Sequence, residues 1–183
     1  MTFAFNKENQ AKAKEIIAKY PANYQQSAVM GLLDLAQRQN DNWLSQDAIK
    51  HVADTLGLAP MLVLEIASFY TMFNLKPVGK YHLQVCTTTP CWLRGSDDIM
   101  KTCKSKLSLT GGDCTKDGKF SLIEVECLGG CVNAPIVQIN DDYYEDLDAK
   151  SFETIIDKLA TKGEVKAGSQ IGRQTSAPVS LKK

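Results

Sequence analysis

The stretch Tyr81-His-Leu-Gln-Val-Cys86-Thr-Thr-Thr-Pro-Cys91-Trp decides how the second half of the chain folds. Tyr81, Leu83 and Val85 alternate with His82, Gln84 and Cys86, the period of a strand with one buried face. The strand runs directly into a cysteine pair, so Cys86 stands at a strand terminus. After Cys91, 35 residues intervene before a second pair, Cys127-Leu-Gly-Gly-Cys131. Four thiolates converging from two loops form a candidate metal centre.

Downstream of the first pair, Ser96, Asp97 and Asp98 supply an acidic N-terminus for a helix with Ile99, Met100, Cys103 and Leu107 on one side. Asp117-Gly118 is a hairpin signal, and Phe120 to Val125 is the strand leaving it. Beyond the second pair, residues 136–139 form a strand, Asn140-Asp141-Asp142 a turn, and Tyr143-Tyr144 a short return strand. Asp148 caps a helix with Phe152, Ile155, Ile156 and Leu159 inward. This order of elements predicts a thioredoxin-like α/β domain. From Gly163 the periodicity stops, and the remainder is expected to be an extended arm lying on another protein.

Upstream, residues 6 to about 74 read as helical. Asn6 caps a first helix ending before Pro21, and Ala28, Val29, Leu32, Leu33, Leu35 and Ala36 mark a second. A Ser45 cap opens a third, with Ile49, Val52, Ala53 and Leu56 on one face and Gly57 at its left-handed end; Pro60 opens a fourth. The fold class expected is α + α/β: a helical bundle over 1–79, a thioredoxin-like domain over 80–162, and a tail over 163–183.

Composition narrows the function. The 183 residues are 44% hydrophobic, and Lys+Arg and Asp+Glu balance at 21 each, so no global field draws nucleic acid or an anionic membrane. The third and fourth helices have a helix-turn-helix layout, but Met61, Leu62, Val63, Leu64, Ile66 and Phe69 cannot read base edges, and phosphate repels Glu65. That apolar surface is expected to be core or a docking face for a partner subunit. The N-terminus carries neither a secretory signal nor a transit-peptide bias. The apolar run over 58–73 falls short of the roughly 20 residues of a membrane helix, so direct membrane insertion is not expected. No Gly-x-Gly-x-x-Gly or Walker loop is present, which leaves no place for a nucleotide or flavin.

In a reducing compartment such cysteines are ligands or buried thiols rather than disulfides. A [2Fe-2S] cluster takes two thiolates on each iron, which two separated pairs satisfy. With two ferric ions, two sulfides and four thiolates the formal charge is about −2, so backbone N–H donors must face the sulfurs. Gly129 and Gly130 allow that approach, Pro90 stiffens the first loop, and Trp92 is positioned to shield a cluster edge. A structural zinc site remains the competitor, because the spacings also suit zinc. Cys103 reads as core and Cys114 receives no function; no Cys-x-x-Cys occurs, so dithiol chemistry is not expected. His51 and His82 read as ordinary solvent or core residues, and Asp141, Asp142, Glu145, Asp146 and Asp148 as a solvated hairpin and helix cap.

At Cys86-Thr-Thr-Thr-Pro-Cys91-Trp-Leu-Arg-Gly and Glu126-Cys127-Leu-Gly-Gly-Cys131-Val-Asn-Ala-Pro135 the sequence closely resembles one family of respiratory NADH:quinone oxidoreductase (complex I) components, the thioredoxin-like [2Fe-2S] or E-type subunits. The likeness extends through Ile66-Ala-Ser-Phe-Tyr-Thr-Met-Phe73 and into Gln170-Ile-Gly-Arg173. It implies that Cys86, Cys91, Cys127 and Cys131 hold one [2Fe-2S] cluster and that FMN and NADH are bound by a neighbouring flavin subunit. The cluster then exchanges single electrons with that flavin, off the main path to quinone. Other peripheral-arm iron-sulfur subunits are further implied partners. The chain would be an enzyme only as part of that proton-translocating complex, with no complete active site of its own. The location implied is the cytoplasmic side of a bacterial inner membrane, or alternatively the mitochondrial matrix side. The same module serves NAD-linked hydrogenases and formate dehydrogenases, and a stand-alone thioredoxin-like ferredoxin is the other alternative. Gly130 departs from the Ala of many members, a change read as loosening the loop, and the ending Val-Ser-Leu-Lys-Lys is shorter and less Gly-rich.

Overall fold

A computed structural model describes residues 3–161 and 163–176. The chain forms two compact units, Met1–Val78 and Gly79–Lys183.

The first unit contains four helices, α1 (Lys7–Ala18), α2 (Val29–Gln39), α3 (Gln46–Leu56) and α4 (Pro60–Phe69), with a 3-10 turn over Gln25–Ala28. Local chemistry sets their ends. Asn6 accepts from the Asn9 N–H at 2.8 Å, Ser45 Oγ accepts from the Ala48 N–H at 3.1 Å, and Gly57 takes the left-handed φ of 65°. Leu32, Leu33, Leu44, Val52 and Val63 are fully buried between the helices, each contributing about 1.5–3 kcal/mol by leaving water. Gln37 ties the end of α2 to the segment after α4, donating to the Met72 carbonyl at 3.1 Å and accepting from the Asn74 N–H at 2.7 Å. His51 lies against the Phe3 and Phe5 rings and accepts from the Phe5 N–H at 3.3 Å, a packing role. In α4 only Val63 and Ala67 are buried, and Met61 and Phe69 remain 72% and 75% exposed. Most of that apolar surface is therefore not core within its unit.

The second unit is a mixed six-stranded sheet in the order β2-β3-β1-β4-β5-β6. The strands are β1 (Tyr81–Cys86), β2 (Asp113–Cys114), β3 (Phe120–Val125), β4 (Val137–Ile139), β5 (Asp142–Glu145) and β6 (Gly168–Ser169). β1 runs parallel to β3 and antiparallel to β4, which makes it an interior strand. Its burial is accordingly two-sided, with His82 and Cys86 as buried as Leu83 and Val85, where alternation alone predicts one wet face. His82 Nδ1 lies 2.8 Å from Ser121 Oγ in the core, and burial lowers its pKa.

Among the described residues this unit also has three helices, α5 (Thr89–Leu93), α6 (Ser96–Leu107) and α7 (Ala149–Ala160). Ile99 and Cys103 of α6 and Phe152, Ile155, Ile156 and Leu159 of α7 bury against Leu83, Val85, Leu122, Val137 and Ile139. Lys106 bridges α6 to Glu153 and Asp157 of α7 at 2.9 and 2.7 Å. Asp148 closes a reciprocal capping box with Ser151. At the start of α6, Gly95 rather than Ser96 takes the cap position, at φ 100°, and Ser96 is already helical.

The tail corrects the sequence reading. Residues 163–176 return to their own domain, and Gly168–Ser169 adds a strand parallel to β5. Ionic and amide partners for Arg173 and Ser176 wait there, which a search for periodicity alone does not reveal. Lys162 and residues 177–183, including the Val-Ser-Leu-Lys-Lys ending, lie outside the described residues. Among the described residues no helix is long and apolar enough to cross a membrane.

Candidate metal centre

All four sequence-predicted thiols lie at one end of the sheet, near enough for the charges of Cys86 and Cys131 to act on Cys91. Cys86 closes β1, and Cys91 sits in α5, a helix where the sequence predicts a loop. Pro90 stands in the first turn of α5, where a missing N–H costs nothing. Cys86 and Cys91 are each 1% exposed and pack with Ala134 and Leu128. Cys127 and Cys131 are exposed, with sulfurs 3.5 Å apart. Trp92 is exposed and donates its indole N–H to Asp97 at 3.2 Å.

The thiols sense one another across the pairs. Burial, then the hydrogen bond with Cys86, then the charges of Cys86 and Cys131 push the Cys91 thiol up to about 12, despite a hydrogen bond with the Ile136 backbone. Cys131 is raised first by its hydrogen bond with Cys127, then by burial and by the charges of Cys127 and Cys86. Burial acts to raise Cys86 as well, but Thr88 Oγ1 at 3.3 Å and the backbones of Leu128 and Thr88 outweigh it, and that thiol lies below its ordinary value. Metal ligation requires thiolates, and the hydrogen bonds that lower the Cys86 thiol act in that direction.

The surroundings fit a [2Fe-2S] group. The Gly129 N–H donates to Cys127 Sγ at 3.4 Å, and Thr88 Oγ1 lies 3.3 Å from Cys86 Sγ. Donors directed at sulfurs are what an anionic cluster needs. Among the described residues no three or more His, Cys, Asp or Glu side chains converge as a single metal ion would hold them. Cys103 is fully buried in α6, its thiol pushed up to about 12 by burial, and Cys114 is exposed in β2.

The second cysteine loop is held by residues that sequence reasoning does not single out. Glu145 reads as solvated in the sequence, yet it is 1% exposed. It accepts from Asn133 Nδ2 at 2.6 Å, from the Ser176 N–H at 3.0 Å and from Ser176 Oγ. Asn133 also donates to the Gln174 carbonyl at 2.8 Å and accepts from Arg173 at 2.5 Å. Arg173 in turn reaches the Val132 carbonyl at 2.8 Å and Asp146 at 2.6 Å. Burial acts to raise the Asp146 pKa, but hydrogen bonds with Arg173 and Ser169 and the charges of Arg173 and Arg94 hold it below the usual carboxylate range. The sequence signal for this clasp is the pair of motifs Val-Asn-Ala-Pro135 and Gln-Ile-Gly-Arg173, which carry the family likeness without implying that they touch. Gly130 fits tightly: an added Cβ would overlap Ile136 Cδ1 and stand 3.2 Å from Ser176 Oγ. A side chain there crowds the loop.

Comparison with known proteins identifies the family. The sequence model of the thioredoxin-like [2Fe-2S] ferredoxin family matches residues 13–160. The E-type subunit of NADH-quinone oxidoreductase from Rickettsia bellii (strain RML369-C) is 65% identical over 86% of this chain and 94% of its own length. Flavoprotein 2 of the mitochondrial NADH dehydrogenase [ubiquinone] of Dictyostelium discoideum is 53% identical over 95% of this chain and 70% of its own. An air-oxidised NAD+-reducing [NiFe]-hydrogenase shares the fold, with a TM-score of 0.63 at 22% identity, over 71% of this chain and 23% of that one. Family match, identity and paired thiols together place the chain among the thioredoxin-like [2Fe-2S] proteins, as a member of the family of E-type subunits of NADH-quinone oxidoreductase.

Proposed function

We propose that Cys86, Cys91, Cys127 and Cys131 hold one [2Fe-2S] cluster, and that the chain works as an electron-transfer subunit of NADH:quinone oxidoreductase beside an FMN- and NADH-binding flavin subunit. The observation that carries the reading is the meeting of two thiol pairs beneath backbone donors, with Gly129 N–H 3.4 Å from Cys127 Sγ. Such a cluster accepts and returns one electron at a time. The protein's part is to fix the sulfurs, keep water from the Cys86 and Cys91 side, and offset negative charge with N–H groups. Cys127 and Cys131, being exposed, face the side from which an electron-exchanging partner would approach.

In this reading hydride chemistry belongs to the flavin subunit, other peripheral-arm iron-sulfur subunits are neighbours, and proton translocation is a property of the whole complex. Membrane association runs through those partners, on the cytoplasmic side. The identity to quinone-linked relatives favours this over a hydrogenase or formate dehydrogenase module, since the hydrogenase likeness is one of fold.

Anaerobically purified protein should contain about two irons and two acid-labile sulfides per chain and give a dithionite-reducible paramagnetic signal. Zinc without sulfide would overturn the electron-transfer reading. Co-purification with a nickel or molybdenum subunit in place of quinone-site subunits would overturn the choice of complex.

A further inference from the structure

Among the groups that the ligand assignment leaves without a role, Tyr143 stands out. It lies on β5 opposite Gln138 of β4, so the sheet fixes the base of its side chain rather than the cysteine loop it reaches. Its hydroxyl donates to the Leu128 carbonyl at 2.7 Å. That carbonyl belongs to the same peptide unit as the Gly129 N–H, which donates to Cys127 Sγ at 3.4 Å. One amide plane is therefore engaged at both ends, by a phenol at oxygen and by a thiol at nitrogen. Amide resonance couples the two ends: a hydrogen bond received at oxygen draws electron density from nitrogen and makes its N–H a stronger donor. Gly129 takes a φ of 82° in this arrangement, so the loop's own preferences do not orient the peptide unaided.

We infer that Tyr143 is a positioning residue that orients and polarises the Leu128–Gly129 peptide toward Cys127, and thereby raises the midpoint potential of the cluster. This rests on the ligand assignment proposed above. Reduction adds one electron to the cluster, while Tyr143 keeps its proton throughout. The reduced form carries the extra negative charge, so a stronger N–H donor stabilises it more than the oxidised form.

Tyr143→Phe keeps the ring and removes only the donor. In the full chain, reconstituted anaerobically, this variant should keep the iron and sulfide content of the parent, show a more negative midpoint in a redox titration and shift the g values of the reduced signal. Replacing the same residue with 3-fluorotyrosine, a stronger donor, at a pH where it stays protonated should move the midpoint in the opposite direction. A merely structural phenol would not give shifts of opposite sign. An unchanged midpoint in a fully loaded Tyr143→Phe protein overturns the inference and leaves the ligand assignment standing. If Tyr143→Phe fails to hold its cluster, the fluorinated protein decides, and an unchanged midpoint there overturns the inference. A parent protein without iron and sulfide overturns the ligand assignment, and the inference with it.

Discussion

The loop carrying Cys86 and Cys91 is built from its own neighbourhood, a central strand running into a five-residue helix, whereas the loop carrying Cys127 and Cys131 takes its shape from residues far along the chain. In the first loop the nearest helper of a sulfur is Thr88, two positions from Cys86. In the second, Asn133 hangs on Gln174 and Arg173, 41 and 40 positions away, and on the buried Glu145. The first pair is buried and the second is open. An exposed loop rich in glycine has little apolar contact to hold it, so polar bonds from the tail do that work. Two halves of one proposed cluster site are thus held by different forces, and they should fail differently.

Asn133→Ala offers the hardest test of that contrast. It takes a partner from a carboxylate that is 1% exposed and frees the tail, at a cost of roughly 1–3 kcal/mol. Thermal unfolding should fall accordingly, and a chelator should strip iron faster. Thr88→Val, the matching deletion in the first loop, should cost about 1 kcal/mol or less. Equal losses in the two variants would dissolve the distinction.

The glycines of the second loop sharpen it. Gly129→Ala forces a β-carbon into φ 82°, at about 1–2 kcal/mol. At Gly130 φ is −100°, so Ala meets no backbone strain, but it meets the end of Ile136 and, at 3.2 Å, Ser176 Oγ; about 1 kcal/mol is the expected cost. Adding Ile136→Val should recover part of the Gly130→Ala loss in a double-mutant cycle, and strict additivity would show that the overlap is not the cause.

Acid gives the smallest effect. The folded protein holds Asp146 below the ordinary carboxylate range, so its stabilisation is present above about pH 4 and disappears as pH falls through the lowered folded-state value. Asp146→Asn should flatten that limb of a melting-temperature profile while leaving the neutral region sloped as before. An unaltered acid limb would remove Asp146 from the clasp's energetics.

Legibility in the sequence follows the range of the interaction. Asn6, Ser45, Gly57 and Asp148 act within a few residues, and the helix ends they set are readable from the chain. β1 and β3 are readable too, because six-residue strands carry a pattern. β2 and β6, two residues each, have too few positions for alternation to register. α5 escapes notice because Thr-Thr-Thr-Pro reads as an extended loop, although Pro90 in a first turn suits a helix. The cysteines announce themselves by spacing and composition. Glu145 and Asp146 do not, since carboxylates in an acidic run look solvated until the arginine and amides that neutralise them arrive from the tail.

The clasp also orders events in time. Translation delivers Cys86, Cys91, Cys127 and Cys131 before it delivers Arg173, Gln174 and Ser176. A nascent chain that has grown only through α7 already displays every thiol but has no strap over the second loop. The second loop can therefore take its held shape only once the tail has been made, because Asn133 gains its Arg173 and Gln174 partners last.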